Sequence, residues 1–259
     1  MNIHPTAIIS KGAELGDVEI GPYSFIGQHV NMGDGTIIGP YVFIDGHTEI
    51  GKNNKILQYS SIGSPPQDLK YKNEPTRLVI GNGNLIREHV TINTGTVTGH
   101  AITTIGNGNL FMINTHIAHD CIIGDETVFA NNATLAGHVT VESRAIIGGL
   151  VAIHQFTRIG TLAMIGGGAM VTMDVVPFAI ASGDRARLYG INTIGLRRRG
   201  FSKEKIRLID KIYRILFRSN YTLGEGIKKV KADITDDPDI KHIIEFIETS
   251  IRGVCRYRI

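Results

Sequence analysis

Tryptophan is absent from this 259-residue chain, and aromatic residues of all kinds make up only 7% of it. So few large rings leave little to fill the interior of a helical bundle. Cysteine is nearly absent as well. Cys121 and Cys255 make no CxxC pair and no disulfide framework, which excludes a small cross-linked secreted scaffold and points to a reducing, cytoplasmic compartment. No apolar run approaches the length of a membrane span. Met1–Ser10 lacks the basic start and apolar core of a secretion signal. Charge of one sign is also lacking: the net value of +3 is too mild to imply a nucleic-acid partner.

Glycine, by contrast, is plentiful at 31 residues, and apolar residues recur with a fixed spacing. Counting by six from Ile20 meets Ile26, Met32, Ile38, Ile44, Ile50, Ile56 and Ile62. Counting by six from Ile105 meets Phe111, Ile117, Ile123, Phe129, Leu135, Val141, Ile147, Ile153, Ile159, Ile165 and Val171. With 42% apolar residues in the chain, twenty such hits have a chance probability of roughly 10⁻⁸. A period of six is neither the 3.6 of a helix nor the 2 of an ordinary strand. It fits a very short flat strand and a turn, with one aliphatic side chain per hexad pointing inward. Three hexads then make a triangular coil of eighteen residues, and the coils stack as parallel sheets.

The phase shifts once. Ile3, Ile9 and Leu15 meet Ile20 with a step of five, so one turn near Asp17 is a residue short. Two segments, Ser64–Arg77 and Thr94–Thr104, break the repeat, while Ile80, Ile86 and Ile92 keep it between them. They read as loops ejected from a continuous scaffold, a common place for function. The repeat stops at Pro177, and beyond about Tyr189 the pattern turns helical. Ser202 is a helix cap, Thr222 with Glu225 a capping box, Asp237–Pro238 a helix start, and Gly253 its stop. These signals predict a β-helix over 1–188 and a C-terminal helical domain over 189–259.

Coil stacking also orders the polar residues. Those sharing a remainder on division by eighteen sit above one another, about 4.8 Å apart per coil. Asp120 then lies under His138, and His119 under Gly137 and Gln155. His116 and His154 fall within a few positions, so all six polar residues gather on one edge. His119 beside Asp120 suits a general base held by a carboxylate. Gly137 admits close backbone approach and a free N–H for a developing oxyanion. The same histidines could instead hold Zn²⁺ across a subunit boundary, and spacing alone leaves both readings open. GxSxG is absent, Cys121 falls at an inward position, and the GNGN runs at 81–84 and 106–109 read as turns. Arg185–Arg218 holds eleven basic residues and two acidic ones, a surface for an anionic partner. It has no aromatic platform for RNA.

Five segments together resemble the UDP-N-acetylglucosamine O-acyltransferases of lipid A biosynthesis. They are QDLKY at 67–71, THIAHDC at 115–121, NNATLAGHV at 131–139, GGLVAIHQF at 148–156 and GLRRRGF at 195–201. The resemblance runs over nearly the whole chain. It implies a left-handed parallel β-helix followed by a C-terminal α-helical domain, a homotrimer, and active sites between subunits. The hand does not follow from the repeat, because parallel crossovers are normally right-handed. By motif match, His119 is the base that deprotonates the sugar 3-hydroxyl, Asp120 its partner and Gly137 the oxyanion donor. Gln67, Asp68, Lys70, His116, His138, His154 and Gln155 are expected around the sugar nucleotide. Asn192, Arg198 and Arg199 are expected on the nucleotide and donor side. The donor implied is a 3-hydroxyacyl group on acyl carrier protein, an acidic partner for the basic tail, and no cofactor is implied. A 3-amino sugar nucleotide as acceptor stays open. Gly167 matches a residue that sets acyl length in the family. It lies 48 residues beyond His119, roughly 13 Å of rise if coils are about 4.8 Å apart.

Overall fold

The computed structural model describes residues 1–233 and 236–257. The hexads form strands mostly of two residues that stack into three sheets of 11, 9 and 8 strands, parallel except for the last pair of the first sheet. The first sheet starts at Asn2–Ile3, the second at Ile8–Ile9 and the third at Glu14–Leu15. One column of the first sheet shows the stacking: Ile20, Ile38, Ile56, Ile86, Phe111, Phe129, Ile147 and Ile165 lie directly above one another. The short turn is present too. Ile3 pairs with Ile20 and Leu15 with Met32, an offset of 17, whereas Ile20 pairs with Ile38, an offset of 18.

The coil winds left-handed. The right-handed rule for parallel crossovers arises from the twist of long strands, and a two-residue strand has little twist to transmit. The corners are turned instead by residues in the left-handed region, such as Tyr41 (φ 54°), Glu126 (φ 54°) and His138 (φ 62°). Inside, each hexad contributes its aliphatic side chain, and those from Ile20 to Val171 are at most 4% exposed. Ile3, Ile9 and Leu15 are only partly buried, because no coil lies beneath the first. An asparagine ladder lines the edge between the third and first sheets. Asn84 donates its backbone N–H and Nδ2 to Asn54 Oδ1, and Asn109 N–H donates to Asn84 Oδ1. Asn82 and Asn107 pair outside it, so the GNGN runs are turns.

Both interruptions leave the helix at one edge. Ser61–Ser64 and Thr91–Asn93 end in the second sheet, while Arg77–Ile80 and Ile102–Ile105 begin in the third. Across them the third sheet pairs His47 with Arg77 and Arg77 with Ile102, offsets of 30 and 25 in place of 18.

Sheet gives way to helix a little later than expected. Ala179–Ser182 pairs antiparallel with Arg187–Ile191, a strand that runs across 188/189. The helices described are α1 (Thr193–Arg198), α2 (Lys203–Phe217), α3 (Leu223–Asp233) and α4 (Pro238–Glu248). Ser202 caps α2, Thr222 and Glu225 form the capping box of α3, and Asp237 caps α4. Gly253 does not stop α4. The helix closes at Thr249, where the cap N–H reaches Glu245 O. Gly253 (φ 75°) instead turns the chain back so that Val254 and Tyr257 bridge to Asp174 and Leu188. α4 rests on the β-helix through Arg158, whose guanidinium lies 4.2 Å from the Phe246 ring centre and donates to Thr249 Oγ1 at 2.9 Å.

Ile56 and Lys55 are neighbours on opposite faces of one strand, the first fully buried and the second exposed. Ile56→Ala is expected to cost about 2–5 kcal/mol and Lys55→Ala within about 0.5 kcal/mol. Denaturant unfolding of the two variants checks the inward phase of the repeat.

Candidate active site

The edge between the second and third sheets carries the concentration of chemistry foreseen from the spacing. Asp120, His138 and Phe156 stack as its left-handed corner residues, with φ of 59°, 62° and 62°. His119, Gly137 and Gln155 precede them in each coil. Successive coils are bonded to each other at this corner, with His138 N–H donating to His119 O and Phe156 N–H to Gly137 O. Consecutive corner side chains are thereby held in register.

Asp120 is 1% exposed, and its carboxylate is saturated. Oδ2 accepts from His119 Nδ1 at 2.8 Å, Thr96 N–H at 3.0 Å and Thr96 Oγ1 at 2.7 Å. Oδ1 accepts from His100 N–H at 2.8 Å. Burial opposes ionisation of this carboxyl, but the bonds from His119, Thr96 and His100 outweigh it and hold its pKa down at about 2. Ionised Asp120 fixes the proton of neutral His119 on Nδ1 and leaves Nε2 as the basic atom. His138 stands edge-on to His119, with ring centres 5.1 Å apart, and stacks on Phe156 at 4.4 Å. Burial lowers its pKa despite the attraction of Asp120. Gly137 lies directly against the His119 ring. A Cβ there would come 2.4 Å from Cε1 and 2.6 Å from Nε2, so any other residue would push the imidazole aside.

His119, His138 and Gln155 open onto a cleft of about 1020 Å³, whose other wall includes Gln67, Asp68 and Lys70 from the first ejected loop. Thr98, Gly99 and His100 from the second loop also line it. Asp68 Oδ1 accepts from Lys70 N–H at 2.9 Å, which holds the QDLKY turn. The cleft continues to Arg158, Asp174, Thr249 and Ile251.

Other expected residues are placed elsewhere. His116 is an outward strand residue of the second sheet, four positions before the corner residue Asp120, and its Nδ1 pairs with Thr91 Oγ1 at 2.7 Å. His154 is exposed, with Nδ1 set against Gln155 O at 3.1 Å. Neither lines the cleft, so the six polar residues do not form one cluster. Gly167 occupies the turn between the first and second sheets, a different edge from His119, and the 13 Å measured along one chain does not run through the cleft. Asn192 is buried and committed to structure: Oδ1 accepts from Gly195 N–H to cap α1, and Nδ2 donates to Leu162 O. Arg198 is exposed, and Arg199 pairs with Glu126 at the third edge. Cys121 is a core residue, fully buried, with its thiol pushed up to about 12 by that burial. Sequence reasoning missed Thr96, Gly99, His100 and Phe156. Phe156 shares a remainder with Asp120 and could have been found that way. The loop residues carry no periodic signal.

The zinc reading meets a chemical objection. His119, Asp120 and His138 each bring a ligand atom within 4.8 Å of the others. Both Asp120 oxygens are already taken by N–H and O–H donors, so a metal would find two imidazoles unless that network were dismantled.

Comparison with known proteins agrees with this geometry. Residues 102–137 match the bacterial transferase hexapeptide (six repeats) model, and residues 174–255 match that of UDP-N-acetylglucosamine O-acyltransferase, domain 2. The chain is 56% identical to the acyl-[acyl-carrier-protein]–UDP-N-acetylglucosamine O-acyltransferase of Thermodesulfovibrio yellowstonii, over 98% of this chain and 99% of that one. The chain belongs to the acyl-[acyl-carrier-protein]–UDP-N-acetylglucosamine O-acyltransferase family. Its identity to the family member from Thiobacillus denitrificans is 47%, over 98% and 99% of the two chains. The crystal structure of the O-acyltransferase from Moraxella catarrhalis superposes with a TM-score of 0.97 at 44% identity, covering 99% of this chain and all of that one. Within this O-acyltransferase fold, no described helix is long and apolar enough to cross a membrane.

The depressed pKa of Asp120 has a sign that can be checked. Its ordinary value is 3.8 and its folded value about 2. Its contribution to stability, on the order of 2 kcal/mol, is present above 3.8 and lost as pH falls through about 2. Asp120→Asn should therefore flatten the acid limb of a stability-versus-pH curve. A variant curve parallel to the wild-type one over that window would contradict the assignment.

Proposed function

We propose that this protein transfers a 3-hydroxyacyl chain from acyl carrier protein to the glucosamine 3-hydroxyl of UDP-N-acetylglucosamine, the opening step of lipid A synthesis. The observation that carries the reading is the Asp120–His119 pair opening on a large polar cleft, with Gly137 packed against the imidazole. His119 Nε2 takes the proton of the sugar hydroxyl as its oxygen attacks the thioester carbonyl. Charge developing on the carbonyl oxygen is met by the Gly137 N–H, which has no protein acceptor among the described residues. The C–S bond then breaks, and the imidazolium returns its proton to the departing thiol. Ionised Asp120 stabilises the imidazolium in between.

Gln67, Asp68, Lys70, His138 and Gln155 are the groups available to the sugar nucleotide in this cleft. Arg198 and Arg199 serve an anionic group, nucleotide or carrier protein, and Gly167 sets acyl length. Gly167 and Arg199 lie at edges of the prism other than that of His119, and another copy of the chain would bring such groups to the His119 cleft. A three-sided prism bringing one edge to the next suits a homotrimer with shared sites. The protein is expected to work in the cytoplasm.

Metal-stripped protein incubated with UDP-N-acetylglucosamine and 3-hydroxyacyl carrier proteins of several lengths should yield the acylated sugar by mass spectrometry. His119→Ala should lower kcat by about 10²–10⁴ and leave the protein folded. No product at any chain length would sink the acyl-transfer reading, and activity that returns only with Zn²⁺ would favour the metal one. Gly167→Met should shift preference to shorter donors, and equal relative rates across donor lengths in both proteins would discard the ruler role.

A further inference from the structure

The second ejected loop, Thr94–Thr104, leaves the helix one coil below Asp120 at the same edge. It supplies three of the four donors that the Asp120 carboxylate accepts: Thr96 N–H, Thr96 Oγ1 and His100 N–H. Only His119 comes from the coil itself. The loop is also fitted closely to the pair. Thr96 is 2% exposed, and its hydroxyl lies 3.2 Å from that of Thr98, so it can accept from Thr98 while it donates to Asp120. A Cβ on Gly99 would sit 2.5 Å from both Asp120 Cγ and His138 Cε1.

We propose that the Thr94–Thr104 loop, acting through the Thr96 hydroxyl, is the element that aims the Asp120 carboxylate at His119, and that Thr96 is a positioning residue for acyl transfer. Two donors from Thr96 converge on Oδ2, the oxygen that receives His119 Nδ1–H. With Oδ1 held by His100 N–H, the carboxylate cannot rotate about its Cβ–Cγ bond without breaking a charge-assisted hydrogen bond. The imidazole is therefore presented to the cleft in one orientation and one tautomer. Removing the hydroxyl leaves Oδ2 with fewer donors and lets the carboxylate turn. It also alters how the carboxylate holds the imidazolium, which the pH dependence of the rate can register.

The inference rests on His119 being the base, and the test separates the two claims. Thr96→Val keeps the shape and deletes the donor. It should lower kcat roughly ten- to a hundredfold, the loss of a hydrogen bond to a charged group, with KM changed less than threefold or so. The acid limb of its kcat–pH profile should differ from that of the wild type, and Thr96→Ser should restore both rate and profile. In an Asp120→Ala background, Thr96→Val should add little, because its effect passes through that carboxylate. A folded Thr96→Val enzyme with wild-type kcat and pH profile overturns the positioning role if His119→Ala is inactive. If His119→Ala is itself near wild type, the general-base reading has failed instead. A full additional loss in the Asp120→Ala background would also overturn the proposal. Should Thr96→Val not fold, Gly99→Ala carries the same test, by crowding Asp120 and His138 from the loop side. Its unchanged kcat and pH profile would count against the loop.

Discussion

Everything in this protein depends on the vertical register of the coil. Each strand of the β-helix is too short to be stable alone, so its backbone groups must pair with the strand eighteen residues before and after it. That pairing forces residues of equal phase into columns: aliphatic columns inside, an asparagine ladder at one edge, aromatic and imidazole rings at others. A one-residue slip would turn the inward column to solvent, which is why the single short turn near Asp17 is confined to the end of the stack. Higher up, the two insertions change the residue count and leave the phase intact.

The same register builds the site at little conformational cost. A corner residue in the left-handed region is strained for most side chains, yet the backbone bonds around it recur in every coil and over-determine it. Asp120, His138 and Phe156 are set by that repetition, and so is the contact of Gly137 with the His119 ring. What repetition does not supply at this corner is most of the environment of a buried charge. A carboxylate at 1% exposure needs several donors to remain ionised, and at Asp120 three of the four come from outside the repeat. The ejected loop meets that need, and the resulting pair stays polarised beside an open cleft.

The helical tail does separate work. It is stitched to the β-helix by Tyr213, whose hydroxyl donates to Pro177 O, by Arg158 over Phe246, and by a His242–Glu142 pair at 2.7 Å that raises the pKa of the imidazole. Thr249 and Ile251 then close the far end of the cleft that begins at His119. The catalytic edge and the tail are thus parts of one surface, although more than a hundred residues of chain separate them.

Much of this was written in the sequence. The hexad period determined the three-sheet coil, the inward residues and the one-residue defect, because each follows from counting along the chain. Division by eighteen brought His119, Asp120, Gly137, His138 and Gln155 to one edge for the same reason. His116 and His154 fall near the same edge by count but outside the cleft of a single chain, since sharing an edge by count does not say whether a side chain points along a strand or off a corner. Only the tertiary structure decided three further things. It showed that two ejected loops fold back onto that edge, that Thr96 and His100 hold Asp120, and that Asn192 is consumed as a cap while Gly167 and Arg199 face other edges. Loop conformation and the direction of a side chain depend on contacts among residues far apart in the chain, and no periodic pattern encodes those.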